Sequence, residues 1–145
     1  MRNRVPRSVL TGLRNLPLFS KFTNRQLKEL AGLGTLVPVE AGREVTVVGK
    51  PGSEWFVVVS GQASCRVGGC EVATFGPGDF FGELSLIDGC ARSASVVAET
   101  PMRLLDFNRG EFGRLLEVAP SLARTMLTTM AARMRATDAA ISLAA

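Results

Sequence analysis

Short hydrophobic runs recur through the middle of this 145-residue chain, and glycine-containing stretches separate most of them. The runs are rich in Val, Phe and Ala, and they lie at 36–39, 45–48, 55–59, 63–67, 71–75, 93–98 and 102–107. Many short strands with regular turn signals are typical of an antiparallel sandwich or barrel. We therefore predict a mainly β fold with flanking helices, in which an eight-stranded antiparallel jelly-roll barrel covers 35–108.

Two glycine-rich stretches predict connections between neighbouring strands. Gly68-Gly69 has the composition of a two-residue hairpin turn. The stretch 49–53 resembles a phosphate-binding loop only superficially, because it lacks the full P-loop spacing and Pro51 removes a backbone donor. We interpret Gly49-Lys50-Pro51-Gly52-Ser53 as a hairpin loop.

Helical patterns are confined to the two ends of the chain. Residues 1–15 form a basic lead-in that predicts a short helix or an ordered tail, and Thr23 and Gln26 have the spacing of a capping box before a helix over 24–32. At the other end, the periodicity predicts helices over 109–118 and 120–137. We therefore expect one domain over 16–145.

The last predicted helix has large apolar side chains at four-residue steps, namely Leu122, Met126, Met130 and Met134. Packing of this face against the barrel is one interpretation. Because methionine adapts to more than one packing partner, a lid over a ligand or a dimer seam is equally consistent with the pattern.

The distribution of charge along the chain bears on the partners and the location of the protein. The net charge is +4, and the first 28 residues contain seven basic residues and no acidic one, which indicates a solvated face or a surface for a membrane, nucleic acid or acidic partner. The longest charge-free run is 55–65, well short of the roughly 18 residues that span a bilayer. No stretch near the N-terminus has the pattern of a secretory signal, so we expect a cytoplasmic protein without a membrane span.

The three cysteines are Cys65, Cys70 and Cys90; they lack C-x-x-C spacing, and the chain has no histidine. We expect reduced, mostly buried thiols and no metal site.

One segment combines a lone carboxylate with a lone arginine. Glu83 follows Gly82 and opens a short apolar turn of helix, and Arg92 precedes Ser93 shortly afterwards. The first turn of a helix has free N–H groups and a positive dipole end, and a guanidinium matches phosphate oxygens. The segment therefore offers an acceptor for sugar hydroxyls and a cation for phosphate.

This segment closely resembles the phosphate-binding cassette of the cyclic nucleotide-binding domain family. The resemblance rests on Phe-Gly-Glu-Leu-Ser-Leu-Ile at 81–87 and Arg-Ser-Ala-Ser-Val at 92–96, and it extends outward over 13–136. It implies a regulatory domain whose last helix moves when the nucleotide binds, coupled to an attached or partner effector such as an ion-channel pore. It also implies that the chain is not an enzyme.

The resemblance further implies a set of ligand-binding residues. Arg92 would pair with the cyclic phosphate, and Glu83 would accept a hydrogen bond from the ribose 2′-hydroxyl. The complete expected set is Phe81, Gly82, Glu83, Leu84, Ser85, Arg92, Ser93 and Ala94. The expected ligand is cAMP, with cGMP left open because the Ser93 hydroxyl can reach the 2-amino group of a syn guanine; no cofactor is expected.

Two departures from the family pattern bear on this site. Ala91 stands where a proline often precedes the arginine, which leaves the loop less rigid. No aromatic residue follows Phe112, so a methionine or leucine of the last helix, or an arginine such as Arg124 or Arg133, would have to cover the base.

Other classes of function fit the sequence less well. A metal-dependent jelly-roll enzyme of the cupin type relies largely on histidines, and this chain has none. The pattern after the barrel contains no helix-turn-helix, so we expect no nucleic-acid partner. A ligand-free interaction module of the same fold remains the alternative, although an arginine aimed into a pocket without an anion gains little.

Overall fold

A computed structural model describes the backbone of residues 4–144 and the side chains of residues 4–138. The helices are α1 (Arg7–Leu13), α2 (Asn24–Leu33), α3 (Glu83–Asp88), α4 (Arg109–Val118) and α5 (Ser121–Ala144), and a 3-10 turn covers Pro17–Phe19. The strands are β1 (Thr35–Val39), β2 (Glu44–Thr46), β3 (Glu54–Ser60), β4 (Ala63–Val67), β5 (Cys70–Phe75), β6 (Phe80–Phe81), β7 (Ser95–Ala98) and β8 (Met102–Asn108).

The eight strands form two antiparallel sheets of four strands each. One sheet has the order β1-β8-β3-β6 and the other has the order β2-β7-β4-β5. The described strands therefore form a sandwich, and the expectation of a closed eight-stranded barrel is not confirmed. The sequence predicted seven of the strands as separate runs; the remaining strand, β6, is only two residues long and lies inside the cassette segment.

The side chains of β3 are buried on both faces of the β1-β8-β3-β6 sheet. Successive side chains of a strand point to opposite faces. Phe56 and Val58 pack into the core between the two sheets, whereas Trp55 and Val57 pack into a second core under the helices. The continuous apolar run of β3 is thus what a strand needs when a second sheet covers one face and helices cover the other.

The helices cover the outer face of the β1-β8-β3-β6 sheet. Val9 and Leu13 of α1 belong to the same core as the Trp55 side chain. The Thr23 hydroxyl accepts from the Gln26 backbone N–H at 3.1 Å, and the Gln26 side chain accepts from the Thr23 N–H at 2.9 Å, which confirms the predicted capping box at α2. Because Val9 and Leu13 lie in this shared core, helix α1 belongs to the packed domain.

The two predicted turns have different outcomes. Gly68-Gly69 does connect β4 to β5 as a two-residue hairpin, with Val67 opposite Cys70. The interpretation of 49–53 as a hairpin loop was wrong, because β2 pairs with β7 in one sheet while β3 pairs with β6 and β8 in the other. The loop therefore crosses between the sheets.

The prediction of reduced cysteines is confirmed, but the prediction that they are mostly buried was wrong. All three are free thiols, but Cys70 and Cys90 are exposed and Cys65 is half-buried. Cys70 follows the hairpin turn and Cys90 follows the end of α3, so both lie where the chain turns at the surface. Among the described residues, no helix combines the length and hydrophobicity needed to cross a membrane.

Candidate functional site

A cavity of about 840 Å³ lies between the cassette segment, the β4–β5 hairpin and the second half of α5. All eight residues predicted from the sequence line it: Phe81, Gly82, Glu83, Leu84, Ser85, Arg92, Ser93 and Ala94. Its volume falls in the range of pockets that hold small molecules, roughly 300 to 1,000 Å³. The structure therefore brings the whole predicted set to one place.

Gly82 makes the sharp turn from β6 into α3. Its φ of 95° lies in the left-handed region, which residues with a Cβ atom rarely adopt. A Cβ atom there would also lie 2.7 Å from the Glu54 carbonyl oxygen and 2.8 Å from Arg92 Nη1. Glycine at 82 thus lets the chain turn while β3 and the arginine remain in contact with its backbone.

Glu83, the first residue of α3, places a buried carboxylate in the cavity wall. Its side chain is only 6% exposed, and Oε1 lies 3.3 Å from Arg133 Nη1. The other oxygen, Oε2, is buried and has no hydrogen-bond partner among the described residues. Burial raises the pKa of Glu83, and a hydrogen bond from its own backbone and the charges of Arg133 and Arg92 offset only part of that effect.

Arg92 is also buried, with 8% of the residue exposed. Nη1 donates to the Gly82 carbonyl oxygen and Nη2 donates to the Glu54 carbonyl oxygen, each at 2.9 Å. Burial lowers the pKa of Arg92, and the nearby carboxylates of Glu54, Glu83 and Asp106 act in the opposite direction. The protein carbonyls use two of the five N–H donors of the guanidinium, and they hold the group beside the start of α3.

Thr46 fixes the chain that follows Arg92. The Thr46 hydroxyl donates to the Ala94 carbonyl oxygen and accepts from the Val96 N–H, both at 3.1 Å. The Ser95 hydroxyl accepts from the Val48 N–H at 2.9 Å. Ser93, which lies between these anchors and Arg92, is exposed and lines the cavity.

The β4–β5 hairpin supplies an apolar wall opposite the charged groups, formed by Cys65, Val67, Val72, Ala73 and Phe75. On β4, alternate residues face the cavity, as the two-residue period of a strand requires. On β5, the consecutive residues Val72 and Ala73 both line it, because the register with β4 shifts between Ala73 and Glu71. Burial raises the pKa of the Cys65 thiol, so this side chain behaves as a small apolar group. The wall suits the flat face of an aromatic base.

Helix α5 reaches the cavity through Arg133. Its Nη2 donates to the Phe80 carbonyl oxygen at 2.6 Å, in addition to the contact with Glu83. The guanidinium carbon lies 4.5 Å from the centre of the Phe80 ring and 5.2 Å from that of Phe75. Arg124, the other arginine that the sequence suggested, is exposed and does not line the cavity.

The sequence reasoning missed two parts of the site. One is the apolar wall: the alternation of side chains along 63–67 would have revealed Cys65 and Val67 once a cavity was expected on that face, whereas Val72 and Ala73 are adjacent and line it through a register shift that the sequence does not show. The other is the backbone that meets Arg92, namely the loop between β2 and β3 and the carbonyl of Glu54, the first residue of β3. A carbonyl carries no signature in the amino-acid sequence, so no pattern pointed to it.

Comparison with known proteins agrees with this geometry. The family model described as the cyclic nucleotide-binding domain matches residues 36–118, which is more than half of the chain. The chain belongs to the cyclic nucleotide-binding domain family. Within this family, it is 35% identical over 125 residues to a cyclic nucleotide-gated potassium channel of Mesorhizobium japonicum, a match that covers 86% of this chain and 35% of the channel.

Two further relatives connect this cyclic nucleotide-binding domain to other regulatory proteins. It is 32% identical over 114 residues to a cAMP-dependent protein kinase regulatory subunit of Aspergillus niger, covering 77% of this chain and 28% of the subunit. The catabolite activator protein of Thermus thermophilus superposes with a TM-score of 0.78 at 29% identity, covering 88% of this chain and 62% of that one. The chain thus spans about a third of the length of these curated relatives.

Proposed function

We propose that this cyclic nucleotide-binding domain is a sensor for a cyclic purine nucleotide, cAMP ahead of cGMP. The observation that carries the proposal is that two buried charged groups line the same cavity. Arg92 lies beside the turn at Gly82, and Glu83 has an Oε2 oxygen without a hydrogen-bond partner among the described residues. A buried acceptor without a donor is costly. A ribose hydroxyl on Oε2 and a phosphate beside Arg92 would satisfy both groups.

In this proposal each part of the nucleotide meets a matching surface. The remaining donors of Arg92 and the backbone N–H groups at 82–85 and 93 face the phosphate oxygens. The base lies along the wall formed by Val67, Val72 and Ala73. Arg133 covers its open side from α5, since a guanidinium stacks well on a flat ring.

The preference for cAMP rests on the polar groups near the base. The Thr46 hydroxyl already donates to the Ala94 carbonyl oxygen and accepts from the Val96 N–H, so this hydroxyl offers little to the edge of a guanine. The Ser93 hydroxyl is the group through which cGMP would gain a contact. The relative from Aspergillus niger is named as the regulatory subunit of a cAMP-dependent protein kinase, which supports the same order.

Helix α5 is the element that we propose transmits binding to an effector, with an ion-channel pore as one candidate. It touches Glu83 and Phe80 through Arg133, so a ligand that engages Glu83 acts on a contact of this helix. Leu127 and Met134 lie seven residues apart on α5 and are 65% and 67% exposed. This spacing suits a seam with a second copy or with the effector.

A thermal-shift titration with cAMP, cGMP and linear AMP tests the sensor function. Ligand at a hundred times its dissociation constant adds about 2.7 kcal/mol, which for a domain of this size raises the melting temperature by roughly 5 to 15 °C. Arg92→Ala should abolish the shift, and Arg114→Ala, which changes an exposed arginine of α4 paired with Glu117, should retain it.

No shift with any of the three nucleotides would refute the sensor function and favour a ligand-free interaction module. One observation is consistent with that alternative: Arg133 already pairs with Oε1 of Glu83 from within the protein. The retention of the shift in Arg92→Ala would refute the assignment of the phosphate to Arg92.

A further inference from the structure

The loop between β2 and β3 encloses the whole of Arg92. Gly49 N–H donates to the Arg92 carbonyl oxygen at 2.9 Å, and Arg92 N–H donates to the Lys50 carbonyl oxygen at 2.8 Å. Directly after the loop, the carbonyl of Glu54, the first residue of β3, accepts from the guanidinium. The loop therefore fixes the backbone of Arg92, and the first residue of β3 helps to fix its charged group.

Gly52 lies between these contacts, directly against the arginine side chain. A Cβ atom at position 52 would lie 2.7 Å from Arg92 Cδ, and closer still to Nε and Cζ. Gly52 is not among the glycines with positive φ, so its backbone conformation is open to alanine. The need for glycine at 52 thus arises from the arginine and not from the turn.

We propose that Gly52 is a positioning residue of the phosphate site, and that its lack of a side chain sets where the Arg92 guanidinium lies. The inference rests on the sensor function proposed above, because it assigns Gly52 a role in holding the phosphate. A methyl group at 52 displaces the far end of a flexible side chain, which is easier than displacing backbone. The fold survives, but the guanidinium leaves the Gly82 and Glu54 carbonyls.

The displaced arginine would bind phosphate less well while ribose and base contacts persist. Loss of one charge-assisted hydrogen bond corresponds to roughly 10- to 150-fold weaker binding. The effect should be confined to ligands that carry the phosphate. Adenosine, which keeps the ribose and base, should bind Gly52→Ala as it binds the wild type.

The test compares cAMP and adenosine affinities, by NMR-detected titration, for the wild type, Gly52→Ala and Gly113→Ala. Gly113 is the matched control, since a Cβ atom there meets no atom within 4 Å. We expect Gly52→Ala to lose affinity for cAMP alone. An unchanged ratio of the two affinities in Gly52→Ala would overturn the positioning role.

A second arm needs no nucleotide and separates this inference from the sensor function. Gly52→Ala should lower the melting temperature of the unliganded protein when Arg92 is present and should leave it unchanged in the Arg92→Ala background, where no guanidinium meets the methyl group. Equal losses in both backgrounds would show that the methyl group acts elsewhere. A wild type that binds no cyclic nucleotide would refute the sensor function, and with it the phosphate role of Gly52, even if this coupling is observed.

Discussion

Arg133 is the residue through which the second half of α5 is held to the domain, and replacing it with alanine should release that half. Earlier in the helix, Leu122 and Met126 are buried. From 131 to 138 every described side chain except that of Arg133 is exposed. The packing of apolar side chains therefore ends before this segment, and the contacts of one arginine replace it.

The expected magnitude follows from those contacts. A hydrogen bond from a charged donor, such as the 2.6 Å contact with the Phe80 carbonyl, contributes about 1.5 to 3 kcal/mol. The position over the Phe80 ring adds about 0.5 to 1 kcal/mol at a partly exposed site. Because the Arg133 side chain is 32% exposed, we count the ion pair with Glu83 as small. Since such contributions are not additive, we expect about 2 to 3 kcal/mol.

Hydrogen exchange detected by mass spectrometry measures this change directly. A loss of 2 to 3 kcal/mol corresponds to amides that exchange about 30 to 150 times faster, and the affected peptides should lie within 131–138. Arg135→Ala is the matched control, because Arg135 is an exposed arginine on the same helix. Arg133→Lys should fall between, since an ammonium keeps the charge but loses the fork and the stacking. If Arg133→Ala exchanges no faster than Arg135→Ala, the helix is held by something else.

Two further predictions concern stability. Burial raises the pKa of Glu83, so ionisation of its carboxyl group destabilises the folded state. The contribution of Glu83 to the free energy of unfolding therefore falls as the pH rises from the ordinary glutamate pKa of about 4.3. In urea unfolding, the stability of Glu83→Gln relative to wild type should increase from pH 4 to pH 8, and a decrease would contradict this sign. Thr23→Ala removes the capping hydroxyl of α2 and should cost about 0.5 to 2 kcal/mol in the same assay, whereas Thr128→Ala, at an exposed position within α5, should cost less; equal losses would count against the cap.

The parts of the fold that sequence predicted well are those fixed by local chemistry. The Gly68-Gly69 turn and the Thr23–Gln26 capping box depend on residues within four positions of one another, and both are present. The cassette is likewise local, with Glu83 and Arg92 on one short segment, and the structure places both on one cavity.

What sequence could not supply depends on how distant elements meet. The packing of the first turns of α5 sets which face of this helix lies over the cavity. Sequence could therefore name Arg124 and Arg133 as candidates but could not choose between them. The hairpin interpretation of 49–53 failed for the same reason, since the partners of β2 and β3 are strands far along the chain. A closed barrel and two facing sheets also produce the same alternation of side chains, so the pattern did not distinguish them.

In the sensor that we propose, Phe80 lies where a nucleotide at Glu83 would act on more than one helix. The Phe80 ring lies 5.9 Å from Trp55, and Trp55 lies 4.9 Å from Phe112 of α4. Arg109, the first residue of α4, donates to the Leu86 carbonyl of α3 at 2.7 Å. Helix α4 is thus joined to the cassette through both its core face and its first residue, while α5 is joined to it through Arg133. A ligand shifts such an arrangement only by its preference for one state, and Glu83, which sits in α3 and contacts α5, is the group through which that preference would act on both.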